Sequence, residues 1–223
     1  MVARLSLARR LLEPRDAAQR LGLLDTPIAV DSPNAKTCIE CMQYCKRPGL
    51  INSVSGEGDK MDVVFPVIAD TKWEVVALLN GNDGIPKTAA DRLKVFDEIM
   101  AKAKEYNIAP SRFHIDPLVE MLCTSDDGIA MVEEVMATIK KNYPTIHITG
   151  AVSNISFNLP ARKLVNQAFV VLAMKAGMDS AVLDPLNRDM MGMIYAAEAC
   201  LGLDEMCIEY IGAYRDGLFG TKK

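Results

Sequence analysis

The sequence contains few of the features that mark membrane, secreted or nucleic-acid-binding proteins. No uninterrupted apolar run reaches the roughly 18 residues that a membrane-spanning helix needs, so a membrane protein is not predicted. No basic block occurs and the formal net charge is -4, which argues against nucleic acid as a partner. The six cysteines follow no disulfide-framework spacing, which favours a reducing, cytoplasmic compartment over secretion.

Six short apolar runs, each ending in a polar residue, alternate with segments of helical periodicity. Continuous β-branched and aliphatic runs of this length are typical of strands that are buried on both faces. The periodicity predicts helices at 34–46, 88–106, 129–141 and 161–176. The six runs are TPIAVDS (26–32), GLINS (49–53), EVVALLN (74–80), FHIDP (113–117), HITGAVSN (147–154) and SAVLDP (180–185).

The alternation of strands and helices predicts a parallel sheet with crossover helices. The spacing of the runs is near that of a (β/α)8 barrel, in which about 250 residues make eight units. A doubly wound open sheet would carry a glycine-rich phosphate-binding turn after an early strand, and none occurs. We therefore predict an α/β fold of the TIM (β/α)8-barrel type, a single domain over residues 1–223. Only six strands are recognisable, so two βα units are missing relative to a closed barrel.

The first residues, MVARLSLARRLLEPRD, carry three arginines and a serine before their first acid, Glu13. An organelle transit peptide has this composition, and an amphipathic helix with its arginines in water is the alternative that we favour. We interpret residues 1–24 as a helix remnant in front of the first apolar run.

The carboxyl ends of the strands of a barrel meet at one mouth, where ligands bind. Asp116 could accept two parallel N–H bonds from a flat heterocycle with an amidine-like edge. Asn52, which would lie beside Asp31, can donate and accept at the same ring. Helix capping is the alternative role for each residue, but six polar strand ends together favour a site. These ends are Asp31, Asn52, Asn80, Asp116, Asn154 and Asp184.

Asn154, Asn158, Arg162 and Asn166 follow one another at intervals of four. If a helix begins near Asn158, the last three line one of its faces. Arg162 could then hold an anionic tail at the mouth, or be a surface arginine. Asn166 lies within an apolar helix and is expected to be buried with its hydrogen bonds satisfied.

Cysteine and histidine offer weaker signals. Cys38, Cys41 and Cys45 share a predicted helix face, where free cysteine behaves as a small buried hydrophobe. A metal site would need a fourth ligand, and no histidine lies near in sequence, so no bound metal is predicted. His114 has the same strand parity as Asp116 and is expected to face the barrel interior.

Six segments, in this order, resemble the pterin-binding methyltransferases that act on methyltetrahydrofolate and a corrinoid protein. The likeness runs from about residue 25 to the C-terminus, and the SNISFNLP-type motif is specific to that group. The segments are AVDSPN, LINSVSGE, NDGIP, FHIDPLV, TGAVSNISFNLPARKLVNQAF and AGMDSAVLDP.

The resemblance implies a (β/α)8 barrel, usually a homodimer, related to dihydropteroate synthase and to the folate domain of cobalamin-dependent methionine synthase. It gives Asn154 the catalytic role, as the contact to the ring nitrogen that bears the methyl group. Asp83 falls on the rim. The positions that it assigns to pterin binding are Asp31, Asn52, Asp83, Asp116, Asn154, Arg162 and Asn166.

The implied reaction moves a methyl group between N5 of (methyl)tetrahydrofolate and the cobalt of a corrinoid, cobalamin, which a separate protein carries. A methyl group leaves a tertiary amine badly unless the nitrogen gains positive character. A nearby amide can strengthen its hydrogen bond as the proton arrives, which stabilises the transition state more than the ground state. No strong general acid is then needed, which fits a mouth lined by asparagine and aspartate.

The sequence departs from the family at its start. Members of the family open with two further strands, one with a Glu-Arg-Ile-Asn-like segment and one with an Asp-x-Asn-like end, and neither occurs before residue 26. The expectation is either a truncated sequence or a barrel that another chain completes. Two alternative functions stay open. One is a dihydropteroate synthase-like enzyme, which would need a basic residue where Ser153-Asn154-Ile155 stand, and the other is a non-catalytic pterin-binding subunit.

Overall fold

The computed structural model describes residues 2–3 and 25–220. The strands of this part are β1 Val2–Ala3, β2 Ala29–Asp31, β3 Leu50–Gly56, β4 Glu74–Gly81, β5 Phe113–Asp116, β6 His147–Ile148 and β7 Ser180–Ala181. The helices are α1 Ala35–Met42, α2 Lys60–Ile68, α3 Ala89–Glu105, α4 Ala130–Asn142, α5 Arg162–Lys175, α6 Arg188–Cys200 and α7 Ile208–Arg215. Each of the six predicted apolar runs overlaps one strand, β2 to β7, and β3 and β4 extend beyond their runs to Gly56 and Gly81.

The strands form a parallel sheet, as the alternating pattern predicts. Five of them pair side by side in the order β2-β3-β4-β5-β6. An isolated parallel β-bridge between Ala151, which follows β6, and Val182, which follows β7, connects these two strands. β1 pairs with β7 in parallel. Val2 and Ala3 are therefore strand residues, and the predicted helix remnant is wrong at these two positions. Residues 4–24 lie outside the described part, and the choice between a helix and a transit peptide there lies outside it too.

Helices pack on one face of strands β2 to β5, and the opposite face of these strands points into the barrel. The Phe113 ring packs edge-on against Phe65 of α2, with 5.8 Å between the ring centroids. His114, the next residue of β5, therefore faces the interior, as its parity predicts. Its Nδ1 lies 2.9 Å from Ser180 Oγ and its Nε2 lies 2.8 Å from Glu74 Oε2, which links β4, β5 and β7 across the interior.

Some helix boundaries follow the capping signals of the sequence and others do not. The helix predicted at 34–46 begins after Asn34 but ends at Met42, so Cys45 lies beyond it. The Thr88 hydroxyl accepts a hydrogen bond from the Asp91 N–H at 3.1 Å and starts α3 as predicted. The prediction that α5 could begin near Asn158 is wrong. Asn158 and Ala161 have φ values of 63° and 51°, and these left-handed residues stop a right-handed helix from extending before Arg162. Asn158 consequently does not share the α5 face of Arg162 and Asn166.

Within residues 2–3 and 25–220, no helix combines the length and apolar character that crossing a membrane requires.

Candidate functional site

Asp31 and Asn52 lie side by side at the carboxyl edge of the sheet. They are register partners in the β2–β3 pair, and the Ser32 N–H donates to the Asn52 carbonyl at 3.0 Å just beyond them. Asn34 caps α1 by accepting from the backbone N–H groups of Lys36 and Thr37. Asp31 is therefore not the capping residue of α1, and its exposed side chain lies beside the half-buried Asn52.

Asp116 ends β5 and points to the same side of the sheet as His114. Its Oδ1 accepts a hydrogen bond from the Leu118 N–H at 2.8 Å. Burial raises the pKa of the Asp116 carboxyl to about 6, while this N–H and the positive charge of Arg92 act in the opposite direction. Gly150 lies close by, since a Cβ there would be 3.9 Å from Asp116 Oδ1. The carboxylate is thus partly desolvated and available to hydrogen-bond donors at neutral pH.

A buried arginine holds the loop that follows Asp116. Arg92 of α3 is fully buried and donates hydrogen bonds to the carbonyls of Pro117 and Leu118, the latter at 2.7 Å. It also donates to Glu120 Oε2 at 2.5 Å. The sequence-based prediction missed this residue. Its burial could have been predicted from the sequence, because Arg92 lies among Ala89, Val95 and Phe96 on the apolar face of α3.

Asn154 lies in a 3-10 turn, Val152–Ser156, that follows β6. Arg162, the first residue of α5, donates to the Ser153 carbonyl at 2.8 Å and to Ser156 Oγ at 3.0 Å. Its guanidinium also lies over the Phe157 ring, 4.7 Å from the centroid. Arg162 therefore contacts residues on both sides of Asn154, so it fixes the turn that presents this amide.

Two other amides, Asn80 and Asn166, have a side-chain oxygen that is buried without a hydrogen-bond partner. The prediction that the side chain of Asn166 would have all its hydrogen bonds satisfied is therefore wrong for its Oδ1. Asn80 is the residue before the end of β4, between the strands of Asn52 and Asp116. Asn80 was one of the six polar strand ends of the sequence, but nothing in the sequence showed that its oxygen would lack a partner.

The remaining predicted residues lie further out. Asp83 is exposed in a turn closed by two hydrogen bonds between Gly81 and Gly84, at 3.1 and 3.0 Å. Cys38 is buried, and its thiol points at the Ser32 carbonyl at 3.6 Å. Burial raises the pKa of Cys38 to about 11. Among the residues that the structure describes, no group of three or more histidine, cysteine, aspartate or glutamate side chains could hold a metal ion.

The sheet order places Asp31, Asn52, Asp116 and the Asn154 turn at one end of the barrel, because the carboxyl ends of parallel strands share an edge. This edge offers a desolvated carboxylate and several amides that can donate and accept together. Such a set suits a flat nitrogen heterocycle with both N–H and unprotonated ring nitrogens.

A family model described as "Pterin binding enzyme" matches residues 9–184, and the chain belongs to this family of pterin-binding enzymes. Among characterised proteins, it is 47% identical over 199 residues to the methylcorrinoid:tetrahydrofolate methyltransferase of Eubacterium limosum, which covers 88% of this chain and 73% of that protein. It is also 29% identical over 190 residues to the methionine synthase of Mycobacterium tuberculosis, where the match covers 77% of this chain and 16% of that protein.

Solved structures agree on the fold. The dihydropteroate synthase of Yersinia pestis superposes with a TM-score of 0.62 at 14% sequence identity, covering 85% of this chain and 78% of that one. A dihydropteroate synthetase bound to a product gives a TM-score of 0.61 at 16% identity. The family resemblance and the α/β barrel-type fold predicted from the sequence are confirmed by these comparisons.

Proposed function

We propose that this protein is a methyltransferase that moves a methyl group between N5 of (methyl)tetrahydrofolate and the cobalt of a corrinoid carried by a partner protein. The observation that carries the proposal is the 47% identity, across 88% of the chain, to a methylcorrinoid:tetrahydrofolate methyltransferase. The chemistry of the barrel mouth supports it, because the side chains gathered there suit a pterin.

In this proposal the pterin ring lies across the carboxyl ends of β2 to β5. The ionised Asp116 accepts the two N–H groups of the amidine-like edge of the ring, which a carboxylate can take in parallel. Asp31 and Asn52, which are register partners, take the other ring atoms. Asp83 is proposed as a contact at the rim.

Asn154 carries the proposed catalytic role. When the methyl group leaves N5 for the corrinoid, the N5–C bond breaks, its electron pair stays on nitrogen and a proton is taken up there. An amide beside N5 hydrogen-bonds more strongly as the charge on this nitrogen changes, and this lowers the barrier. Transfer in the other direction uses the same contacts in reverse. The corrinoid is a substrate brought by the partner, and no metal of this chain takes part in the proposal.

Further parts of the proposal concern assembly and location. We propose a single domain that works as a homodimer in the cytoplasm and docks a corrinoid protein at the barrel mouth. Members of the family are usually homodimers, which supports the proposed assembly. The six cysteines follow no disulfide-framework spacing, which supports a cytoplasmic location.

A dihydropteroate synthase-like activity is the second candidate, and the 0.62 TM-score favours it only at the level of fold. Ser153, Asn154 and Ile155 stand where that chemistry would need a basic residue. A non-catalytic pterin-binding subunit is the third.

One experiment separates these candidates. The protein is mixed with methyltetrahydrofolate and a reduced corrinoid protein, and the cobalt absorbance is followed. A spectral change to methyl-cobalt is expected. If the protein binds pterin but transfers no methyl group in either direction, it is a non-catalytic pterin-binding subunit. If it condenses a pterin diphosphate with p-aminobenzoate, it is a dihydropteroate synthase-like enzyme.

A further inference from the structure

Both histidines of the chain lie together inside the barrel, below the mouth. Their rings stack with 4.8 Å between the centroids and 18° between the planes. His114 is enclosed, with 4% of its side chain exposed, whereas 43% of the His147 side chain is exposed. The sequence contains no further histidine, so every histidine-dependent property of the protein originates in this pair. We call it the histidine stack.

The histidine stack connects β7 to the strands beside it. Within the described residues, β7 pairs with β1, lies outside the five-stranded ladder and meets the β6 side at an isolated bridge. Side chains supplement this backbone contact. Ser180 Oγ of β7 lies 2.9 Å from His114 Nδ1, and Asp179 Oδ2, just before β7, lies 3.1 Å from His147 Nδ1. The attachment of β7 therefore involves both rings.

The hydrogen bonds of His114 require both of its ring nitrogens to carry hydrogen. Ser180 donates its single hydroxyl hydrogen to the Ile148 carbonyl at 3.1 Å, so its oxygen accepts from His114 Nδ1. His114 Nε2 lies 2.8 Å from Glu74 Oε2, and an ionised carboxylate can only accept. The nearby positive charge of Arg112 favours the ionised form of Glu74. His114 is therefore a charged imidazolium.

The surroundings of His147 disfavour a second positive ring. Lys140 Nζ lies 2.7 Å from Asp179 Oδ2, so the carboxylate that faces His147 already has a positive partner. The charged groups that face the stack from the elements around it are Glu74 of β4, Arg112 before β5, Lys140 of α4, Asp179 before β7 and His114 itself. Positive groups already outnumber negative ones here. A proton on His147 would add a like charge 4.8 Å from the His114 ring without a further counter-charge.

We propose that the histidine stack is an acid-sensitive clasp that closes the barrel at β7. In the closed state His114 is charged and His147 is neutral. When the clasp opens, the two rings separate and His147 takes up a proton, so the open state binds one proton more than the closed state. Acid therefore favours opening. Because β7 leads to Asp184 and α6, opening displaces one side of the mouth.

The size of the effect follows from the number of protons. An uptake of one proton raises the opening equilibrium constant by about tenfold for each pH unit below about 6.5, the ordinary pKa of an exposed histidine. Asp116 acts in the opposite direction, because its raised pKa makes the folded chain more stable as the pH falls. A loss of protection in acid therefore cannot come from Asp116. The clasp does not depend on the proposed function.

Hydrogen–deuterium exchange of the full chain, read by mass spectrometry between pH 5 and 7.5, tests the clasp. After correction for the intrinsic exchange rate, the amides around β7 (178–183) should lose protection by about tenfold per pH unit below about pH 6.5, whereas those of β3 should keep theirs. His147→Gln keeps an N–H donor for Asp179 but has no charge to gain, so its β7 protection should not change with pH. Asp116→Asn is the control, because it removes another group that titrates near pH 6 and should leave the pH dependence of β7 unchanged.

Constant β7 protection in the unmodified chain, or an equal loss in β3, would overturn the clasp. An unchanged pH dependence in His147→Gln would overturn it as well. A second measurement needs no variant. The nitrogen NMR spectrum of the imidazoles at pH 7.5 contains two rings, and we expect one with both nitrogens protonated and one with a single protonated nitrogen. Two neutral rings or two charged rings would contradict the proposal.

Discussion

The guanidinium of Arg92 lies 2.5 Å from the carboxylate of Glu120, and the same side chain donates to the carbonyl of Leu118. Arg92 is fully buried, whereas Glu120 is partly exposed. Since Leu118 in turn donates its N–H to Asp116, a helix on the outside of the barrel positions the carboxylate at the mouth. The position and the charge of Asp116 thus both depend on a residue of α3.

Replacement of Arg92 should therefore affect stability and the ionisation of Asp116 together. Arg92→Met is expected to lower the free energy of unfolding by about 3 kcal/mol, because the carbonyls of Pro117 and Leu118 and the Glu120 carboxylate lose their donor. Loss of the positive charge should also raise the pKa of Asp116 above about 6. Urea unfolding and the pH dependence of pterin binding measure the two effects. Lys94→Met, on the exposed side of α3, is the control and should leave the free energy of unfolding and the pH profile nearly unchanged. A pH profile unchanged in Arg92→Met would contradict this coupling.

Asp116→Asn should separate stability from binding. The folded chain holds the pKa of Asp116 at about 6, above the ordinary 3.8, so it binds more protons than the unfolded chain between these values and loses stability as the pH rises through them. Removal of the carboxylate should therefore stabilise the protein above pH 6 by up to about 3 kcal/mol and have little effect below pH 4. Pterin affinity should fall by about 100-fold, because an amide cannot accept two parallel N–H bonds. Thermal unfolding at pH 4 and 7.5 with calorimetry checks both expectations, and destabilisation at pH 7.5 would contradict the first.

Asn154→Ala tests the proposed catalytic role. The amide is expected to act more strongly in the transition state than in the ground state, so kcat should fall by about 100-fold while the affinity for methyltetrahydrofolate changes by less than about threefold. Rapid-mixing spectroscopy of the cobalt gives the rate and calorimetry gives the affinity. Asn158→Gly is a suitable control, since glycine keeps the φ of 63° and removes a nearby exposed amide. Equal losses in rate and affinity would show that Asn154 only binds the ring.

The cysteines should differ in reactivity in proportion to their exposure and thiolate character. Cys123, Cys200 and Cys207 are exposed, whereas Cys38 is buried and its pKa is raised to about 11. Brief treatment of the native protein with iodoacetamide at pH 8 should label the first three and leave Cys38 unlabelled. Peptide mass spectrometry before and after unfolding in urea measures this. Fast labelling of Cys38 in the native protein would show that α1 opens away from the strand ends of Asp31 and Asn52.

The sequence predicted the strands better than it predicted the local backbone of the site. Strands between two layers are apolar on both faces, so the runs around Ile51, Val75 and Ile115 stand out from the chain without an alignment. The helix predicted at 161–176 matches α5, but it does not extend back to Asn158, because Asn158 and Ala161 both adopt left-handed conformations that residue type alone did not indicate.

The roles of arginines were harder to predict than the positions of strand-end residues. Asp31, Asn52 and Asp116 could be named from the sequence because a polar residue after an apolar run is a local pattern. Arg92 acts through the carbonyls of Pro117 and Leu118, which lie 25 and 26 residues further along the chain. Such a pairing has no local signature, so only the folded structure shows it.

The contacts of His114 limit how deep a substrate can sit. Glu74, His114 and Ser180 join three strands across the middle of the barrel, in a layer below Asp116. A ring that enters from the mouth therefore meets this polar floor one layer of side chains below Asp116. The enzyme should then select its substrates by the outline of the heterocycle. Heterocycles that carry a bulky group on the side facing this polar layer should be excluded.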